Sequence, residues 1–356
     1  MYPAPKVGVL TFHRCINYGS YWQARCLVEG LRARGHDAVL LDHDSPQVNR
    51  AEWRCALQPL LPVRVPRSDY RLYAGKARRF FEAFERLPRS RRFPLDRPDV
   101  LEGHDLVVVG SDEVWNQHHP WYRGYSLFYG AGLDARRLVS YAASFGNHDA
   151  SDRLDDGSAA NLRAFAAISV RDDNSRRLVR DALGAEPELV LDPCLQFPPT
   201  VEPHGEPAES AYVAVYGHSF PAWFGRAVRD WATSRGLRLL SIGYRNDWAD
   251  EQRIAAGPEE FARLIAQAAA VATNFFHGCV FALLNGKPFA CVSSDYRSNK
   301  VSDLMRAVGA EDRLVTEAVA AAAYAELLDP PLDPAIADRL AVLRRQSERY
   351  LDHALA

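Results

Sequence analysis

Short apolar runs alternate with longer stretches whose apolar positions recur at helical spacing along most of this chain. In its first part the apolar runs predict the following strands: Val7–Leu10, Ala38–Leu41, Leu106–Val109, Leu138–Ala142 and Leu189–Leu191. Between the first two strands, Tyr21–Arg34 carries apolar residues at helical spacing and predicts a helix. A strand, a helix and a second strand indicate a βαβ opening and an N-terminal α/β domain of residues 1–198.

A second alternation follows a proline-rich stretch at 197–209, which is typical of a linker. The predicted strands are Tyr212–Tyr216, Leu237–Ile242, Ala270–Thr273 and Pro288–Val292. The predicted helices are Ala222–Ser234, Pro258–Ala269 and Gly278–Leu284. These elements predict a second α/β domain at 209–329, and prolines at 330–334 separate it from a C-terminal helix at 330–356, with its core at Ile336–His353.

Length and composition narrow the class of protein. A chain of 356 residues exceeds the size at which one core usually keeps growing, so two domains are expected. A formal net charge of −2 offers no electrostatic reason to expect nucleic acid as a partner. The six cysteines have neither a Cys-x-x-Cys pair nor zinc-ligand spacing, so we expect buried thiols in a reducing compartment and no metal site. Because the chain has neither a signal-peptide pattern nor an apolar run of about 20 residues, we expect a cytoplasmic protein.

A basic amphipathic segment at 64–97 stands out within the first predicted domain. It contains eleven arginines and lysines against four acids, with aromatic residues at roughly helical spacing. Such a segment can rest on an anionic lipid surface, or it can pack its aromatic side chains on the domain and leave a solvated basic face. The second arrangement is the more common one, and a peripheral contact with the membrane stays open.

The junction between the strand Ala270–Thr273 and the next helix places His277 and Gly278 at a helix N-terminus. Backbone N–H groups at a helix N-terminus carry partial positive charge and suit a phosphate or a carboxylate. A histidine beside them can take up and release a proton near neutral pH. A satisfied core or capping histidine explains the same pattern, so spacing alone leaves both interpretations open.

Several blocks in a fixed order resemble the polysaccharide pyruvyl transferase family. The quoted blocks are Lys6–Thr11, Asn17-Tyr18-Gly19-Ser20 with Gln23, Asp105–Asn116, Ser140–Gly146, Ile168–Arg171, Leu191-Asp192-Pro193, Phe276-His277-Gly278 and Lys287-Pro288-Phe289. One position departs from the pattern: Phe275 stands where the better understood members carry an arginine that helps hold phosphoenolpyruvate.

The resemblance implies two Rossmann-like domains facing across a cleft, as in GT-B glycosyltransferases, with the C-terminal helix closing onto the N-terminal domain. It also implies transfer of pyruvate from phosphoenolpyruvate, a co-substrate, to a sugar or saccharide precursor as a ketal, with no further cofactor. The N-terminal domain would bind the acceptor, a saccharide or lipid-linked saccharide in exopolysaccharide or capsule biosynthesis, and the C-terminal domain would bind the donor. The oligomeric state stays open.

The resemblance and the strand-end positions together nominate site residues, with His277 and Asp112 as the catalytic pair. The predicted donor-binding residues are Arg171, Gly278, Tyr216, His218, Arg245, Arg297 and Lys300. The predicted acceptor-binding residues are Asn17, Tyr18 and Gly19.

Structural explanations compete with several of these roles. Asp112 could accept a hydroxyl proton or cap a helix. Arg171 could contact the donor or pair with Asp172 or Asp173 at the surface. Asn17, with its neighbours Tyr18 and Gly19, could bind the acceptor by hydrogen bonds and stacking or form a tight turn.

Two further functions remain compatible with these residues. A transferase on the same frame could use another anionic donor such as a nucleotide sugar, with Phe275 stacking on it. A non-catalytic saccharide-binding protein is the third alternative.

Overall fold

The computed structural model describes residues 5–123, 125–200, 211–293, 298–320 and 322–356. Its strands are β1 Lys6–Leu10, β2 Asp37–Leu40, β3 His43–Asp44, β4 Phe93–Pro94, β5 Leu106–Val109, β6 Leu138–Ser140, β7 Ser169–Val170, β8 Glu188–Leu189, β9 Tyr212–Tyr216, β10 Arg238–Ile242, β11 Glu251–Arg253, β12 Ala270–Thr273, β13 Phe289–Val292 and β14 Leu314–Val315. Its α-helices are α1 Tyr18–Ala33, α2 Pro46–Leu57, α3 Tyr70–Phe84, α4 Asp156–Leu162, α5 Asp173–Leu183, α6 Pro193–Gln196, α7 Ala222–Ser234, α8 Pro258–Gln267, α9 Phe276–Leu284, α10 Ser298–Val308, α11 Ala323–Leu328 and α12 Pro334–Leu355. Short 3₁₀ turns lie at 67–69, 98–100, 126–129 and 311–313.

The chain forms two compact units. Unit 1 comprises residues 1–52, 86–198 and 340–356, and unit 2 comprises residues 53–85 and 199–339. Each unit is built on its own parallel sheet flanked by helices. The predicted α/β class with two Rossmann-like domains is therefore confirmed.

Unit 1 has a four-stranded sheet in the order β2-β1-β5-β6. Val9 of the central strand β1 pairs with Leu40 on one side and with Val108 on the other, and all pairings are parallel. The strands are continuous apolar runs because both faces of a parallel sheet are covered by other elements.

Unit 2 has a six-stranded sheet in the order β11-β10-β9-β12-β13-β14. Val213 of β9 pairs with Ala270 of β12 and with Leu239 of β10, again in parallel. Helix α9 lies against β12 and is apolar around its whole circumference, as expected of a helix buried on all sides.

The basic segment departs from the predicted domain boundary, because residues 53–85 belong to unit 2 rather than to an N-terminal domain of 1–198. Helix α3 buries Tyr73, Phe80 and Phe84, and Arg79 donates from Nη1 to the carbonyl of Ala255 at 2.9 Å. The predicted packing of aromatic side chains by this amphipathic helix is therefore observed, while a peripheral contact with the membrane stays a prediction. Periodicity alone identified the helix but carried no information about which sheet it covers.

Helix α12 is longer than the predicted Ile336–His353, and from Leu340 onward it belongs to unit 1, as predicted for a C-terminal helix closing onto the N-terminal domain. Ser347 accepts a hydrogen bond from the amide of Leu191 at 2.9 Å, and the Tyr350 hydroxyl donates to the carbonyl of Ser140.

Among the described residues, no helix combines the length and the apolar character that crossing a membrane requires. The cysteine prediction holds for five of the six residues, which are buried thiols, but Cys55 is exposed.

Candidate functional site

The strand order of unit 1 reverses between β1 and β5. In open parallel sheets, ligands bind outside the carboxyl ends of the strands at such a switch point. Residues 11–17 follow β1 and residues 110–117 follow β5, so two of the predicted blocks lie at this edge.

Asn17 begins helix α1. Its side-chain oxygen accepts hydrogen bonds from the amides of Gly19 at 2.8 Å and Ser20 at 3.2 Å, which is a standard N-cap. The Tyr18 side chain is fully buried, whereas stacking on an acceptor would require an exposed ring face. These residues shape the helix start, and acceptor binding by Asn17, Tyr18 and Gly19 stays a prediction.

Asp112 lies at the same edge in a conformation that side chains seldom adopt. Its φ of 74° is in the left-handed region, which costs a non-glycine residue roughly 1–3 kcal/mol. The Ser20 hydroxyl donates to its Oδ2 at 2.7 Å, and Arg171 donates from Nη2 to its Oδ1 at 3.1 Å. Asp112 does not start a helix, so the predicted capping alternative is not what the structure shows. Strained residues with fixed carboxylates are typical of functional sites.

Arg171 lies between two carboxylates inside unit 1. Its side chain is 1% exposed, and Nη1 donates to Asp192 at 3.0 Å while Nη2 binds Asp112. Burial lowers the pKa of Arg171, but the carboxylates of Asp112 and Asp192 outweigh this effect and raise the pKa above its ordinary value. The guanidinium is therefore a permanent cation that positions Asp112.

The alternative prediction, that Arg171 pairs with Asp172 or Asp173 at the surface, is wrong, because Arg171 is buried and pairs with Asp112 and Asp192. Asp172 instead caps helix α5, where it accepts from the amide of Ser175 at 2.7 Å. A donor contact by Arg171 stays a prediction.

Glu52 is a buried acid that the sequence reasoning missed. The Trp121 indole donates to its Oε1 at 2.9 Å, and the amide of Ile16 donates to its Oε2 at 3.4 Å. Burial is the largest effect on Glu52 and raises the pKa of its carboxyl, with the charge of Asp112 adding to the rise. A buried carboxyl group with a raised pKa holds its proton at a pH where an exposed carboxyl group has lost it. Glu52 lies 36 residues from Ile16 along the chain, so no local sequence pattern indicates that the two meet.

Asp42, at the end of the second strand, is occupied by internal partners. His13 lies 3.0 Å from its Oδ1, and Arg14 and Arg89 also bind the carboxylate. Burial lowers the pKa of the neighbouring His43 to about 3, so that ring is neutral. This network binds the loop after β1 to the loop after β2.

In unit 2 the strand order reverses between β9 and β12, and the second set of predicted residues lies at that edge. Phe275 holds the N-cap position of α9, and its carbonyl accepts from the amides of Gly278 at 2.9 Å and Cys279 at 3.3 Å. His277 is the second residue of the helix and is 8% exposed. The predicted helix N-terminus at His277 is thus observed, while its catalytic role stays a prediction.

Gly278 allows α9 to approach β12. A Cβ atom at this position would lie 2.0 Å from Oγ1 of Thr273, so only glycine fits without a shift. Its amide is already engaged by Phe275, which means that the structure gives Gly278 a packing role. Donor binding by Gly278 stays a prediction.

The position of the family arginine is occupied by an aromatic cluster. The Phe275 ring lies 5.0 Å from Tyr216, 5.3 Å from His218 and 5.4 Å from Tyr244, each at an interplanar angle of 88°. These are edge-to-face contacts, which stabilise aromatic pairs beyond their buried area. Phe275 is 7% exposed, so it forms part of the core rather than an open platform.

The predicted cations of unit 2 have different surroundings. Arg245 is paired with Asp69 through Nη2 at 3.0 Å and with Asp247 through Nη1 at 2.9 Å. The hydrogen bonds that Arg245 donates to Asp69 and then to Asp247 raise the pKa of Arg245 above its ordinary value. Lys300 lies half-buried in the first turn of α10, and Arg297 lies outside the described residues.

Lys76 of α3 is a buried amine beside the aromatic cluster. Its Nζ donates to the carbonyl of Gly243 at 3.0 Å and lies 4.1 Å from the centre of the Tyr244 ring. Burial lowers the pKa of Lys76 to about 7. Lys76 follows Tyr73 by three residues and precedes Phe80 by four, so helical spacing already put it on the apolar face.

Comparison with family models places the chain by sequence. The model described as polysaccharide pyruvyl transferase matches residues 17–296, most of the chain. This protein belongs to the polysaccharide pyruvyl transferase family, and with it to the transferases that modify saccharides. Comparison with curated proteins found no match.

Solved structures of similar fold have low sequence identity. The S. aureus MnaA–UDP co-structure is 9% identical to this chain with a TM-score of 0.49. The alignment covers 98% of this chain and 95% of the MnaA chain. A putative UDP-N-acetylglucosamine 2-epimerase from Listeria monocytogenes is 10% identical with a TM-score of 0.45, covering 96% and 95%. The glycosyltransferase SnogD from Streptomyces nogalater is 14% identical with a TM-score of 0.41, covering 99% and 98%.

Proposed function

We propose that this protein transfers pyruvate from phosphoenolpyruvate to two hydroxyl groups of a saccharide, forming a ketal and releasing phosphate. Family membership supports the reaction class, and the observation that carries the proposal for this chain is the fixed carboxylate of Asp112 at the switch point of unit 1. The acceptor is a free or lipid-linked precursor of an exopolysaccharide or capsule, and we expect the reaction in the cytoplasm.

The chemistry balances with one donor and two hydroxyl groups. The methylene carbon of phosphoenolpyruvate takes up one proton and becomes a methyl group, while C2 forms two C–O bonds and loses the bond to phosphate. The two hydroxyl groups release two protons in total. One balances the proton that the methylene carbon gains, and the other leaves with phosphate. Such a reaction requires a base, a proton donor and cations for the phosphate.

In this proposal Asp112 accepts the proton from an attacking hydroxyl group. Ser20 and Arg171 hold its two oxygens, so the carboxylate is positioned before the acceptor arrives. His277 moves a proton to the methylene carbon or holds phosphate, and the amides at the start of α9 favour an anion. Because position 275 holds no arginine, further positive charge for the donor would come from His218, Arg245, Arg297 and Lys300. Tyr216 would supply a hydrogen bond to the donor.

The test is incubation of the purified protein with phosphoenolpyruvate and a panel of neutral glycosides, followed by phosphate release and product mass. The variant Asp112→Asn should lower turnover by about 10²–10⁴, the range typical of a lost general base. Asp156→Asn, an exposed acid at the start of α4, is the matched control and should retain activity. Absence of phosphate release and of any pyruvylated product with every acceptor would refute the proposal.

The phenylalanine at position 275, where the family carries an arginine that helps hold phosphoenolpyruvate, favours a second candidate, a transferase that uses a nucleotide sugar. The same assay with uridine and thymidine diphosphate sugars separates the two candidate functions. A transferase that uses a nucleotide sugar would release a nucleoside diphosphate and no phosphate. A non-catalytic saccharide-binding protein would give neither product, and His277→Ala would leave its saccharide affinity unchanged.

A further inference from the structure

Unit 1 contains a cavity that none of the proposed roles uses. Its volume is about 380 Å³, within the range of roughly 300–1,000 Å³ that small-molecule sites occupy. It lies beside residues 114–117, which follow Asp112 closely along the chain. The other lining residues are Tyr122, Arg123, Tyr125, Ser126 and Tyr129, together with Asp155 and residues of helix α4.

One wall of the cavity is a prearranged set of hydrogen-bonding groups. Gln117 donates from Nε2 to Asp155 at 2.6 Å and to the Ser158 hydroxyl at 3.1 Å, and that hydroxyl binds Asp155 at 2.7 Å. The hydrogen bond from the Ser158 amide, followed by that of its hydroxyl, lowers the pKa of Asp155, which is therefore ionised at neutral pH. An ionised carboxylate, an amide and a hydroxyl together suit a ligand that is rich in hydroxyl groups.

The lining also contains aromatic residues, of which Tyr125 is partly exposed while Trp115 and Tyr129 are buried. The rings of Trp115 and Tyr129 are stacked at 6.2 Å, the Trp115 indole donates to the carbonyl of Phe128, and the Tyr129 hydroxyl donates to the carbonyl of Trp115. A site that combines a partly exposed aromatic ring with a few fixed polar groups matches a sugar ring, which has apolar C–H faces and polar edges.

We infer that this cavity binds a neutral sugar unit of the acceptor, at a position separate from the ring that receives the pyruvyl group. The inference rests on the proposed function, in which Asp112 takes the acceptor proton. Asp112 and Gln117 are five residues apart, so their Cα atoms are separated by at most about 18 Å. The acceptor is therefore an oligosaccharide, with one unit in the cavity and another at Asp112. The ionised carboxylate of Asp155 favours a neutral ligand over a phosphorylated sugar, because like charges repel.

The test measures binding of p-nitrophenyl β-galactoside, β-glucoside and N-acetyl-β-glucosaminide without phosphoenolpyruvate, by ligand-observed NMR and calorimetry. We expect at least one neutral glycoside to bind, and glucose 1-phosphate to bind at least about tenfold more weakly. Because no donor is present, this result does not depend on pyruvyl transfer.

Matched variants assign the binding to the cavity. Asn161→Trp fills it from helix α4 and should weaken glycoside binding at least about tenfold, whereas Ala160→Trp, on the exposed side of the same helix, should leave it unchanged. Gln117→Ala removes one hydrogen-bonding group and should weaken binding about two- to tenfold, which keeps the test valid if Asn161→Trp does not fold.

Two results would overturn the inference: no binding of any neutral glycoside, or equal binding by Asn161→Trp, Gln117→Ala and the wild type. Stronger binding of glucose 1-phosphate would contradict the neutral class. If pyruvyl transfer is observed while Asn161→Trp leaves the acceptor KM unchanged, the cavity assignment fails and the proposed function stands.

Discussion

The two units present different chemistry at equivalent edges of their sheets. In unit 1 the switch point holds charges that are fixed by one another, with Arg171 between Asp112 and Asp192. In unit 2 the switch point is filled by aromatic rings, with Phe275 against Tyr216 and Tyr244.

The difference teaches that the fold sets where a site lies but not what it does. Both edges follow from strand orders that reverse once. The charged edge needs each partner, since a buried charge without a counter-ion is costly, while the aromatic edge depends on shape and area. The two edges should therefore respond to substitution in different ways.

The largest expected effect is on the charged edge. Arg171→Met leaves two carboxylates without their buried cation and should lower the free energy of unfolding by about 3–5 kcal/mol, measured by urea denaturation. Arg136→Met is the matched control, because its ion pair with Asp105 is 85% exposed on the arginine side and should contribute less than about 1 kcal/mol. Equal losses in the two variants would contradict the comparison.

The buried amine beside the aromatic edge should make stability depend on pH. Unfolded Lys76 keeps its proton up to its ordinary pKa near 10.5, whereas the folded pKa is about 7, so unfolding takes up a proton between these values. Stability from this group is fully present above the unfolded pKa and is lost as pH falls toward 7. We expect a gain of about 1.4 kcal/mol per pH unit between pH 7 and 9.

Lys76→Met should remove that slope, whereas Lys6→Met, at an exposed ion pair, should keep it. Urea denaturation at pH 7, 8 and 9 measures the difference between each variant and the wild type. A slope that persists in Lys76→Met would show that another group causes it.

The smallest expected effect is on the aromatic edge itself. Phe275→Leu keeps an apolar side chain but is smaller and loses the edge-to-face contacts with Tyr216, His218 and Tyr244, so the free energy of unfolding should fall by about 1–2 kcal/mol. In Phe275→Leu, the free energy of unfolding should still rise between pH 7 and 9 as it does in the wild type. A loss as large as that of Arg171→Met would mean that this cluster, too, depends on a buried charge.

The elements of both sheets could be predicted because their signal is local. Continuous apolar runs such as Val7–Leu10 and Tyr212–Tyr216 are needed wherever a parallel strand is covered on both faces, and the structure has strands at both places. The ends were less certain, since α1 begins at Tyr18 rather than at the predicted Tyr21, where Asn17 caps it.

Pairings between distant residues could not be predicted. The sequence predicts the donor or the neighbouring Asp172 and Asp173 as partners of Arg171, but its observed partners lie 59 and 21 residues away. Glu52 had no distinguishing pattern at all. Such contacts depend on how loops from several strands meet at one edge, and a single sequence carries no local record of that meeting.

The sequence by itself determined the α/β class, the division into two sheets and the positions at which His277 and Asp112 lie, because periodicity and strand ends are properties of short segments. Only the tertiary structure decided that residues 53–85 belong to unit 2, that Asp112 is held by Ser20 and Arg171, and that Lys76 is buried. These outcomes depend on long-range packing, which fixes the burial and partners of a charge and with them its pKa.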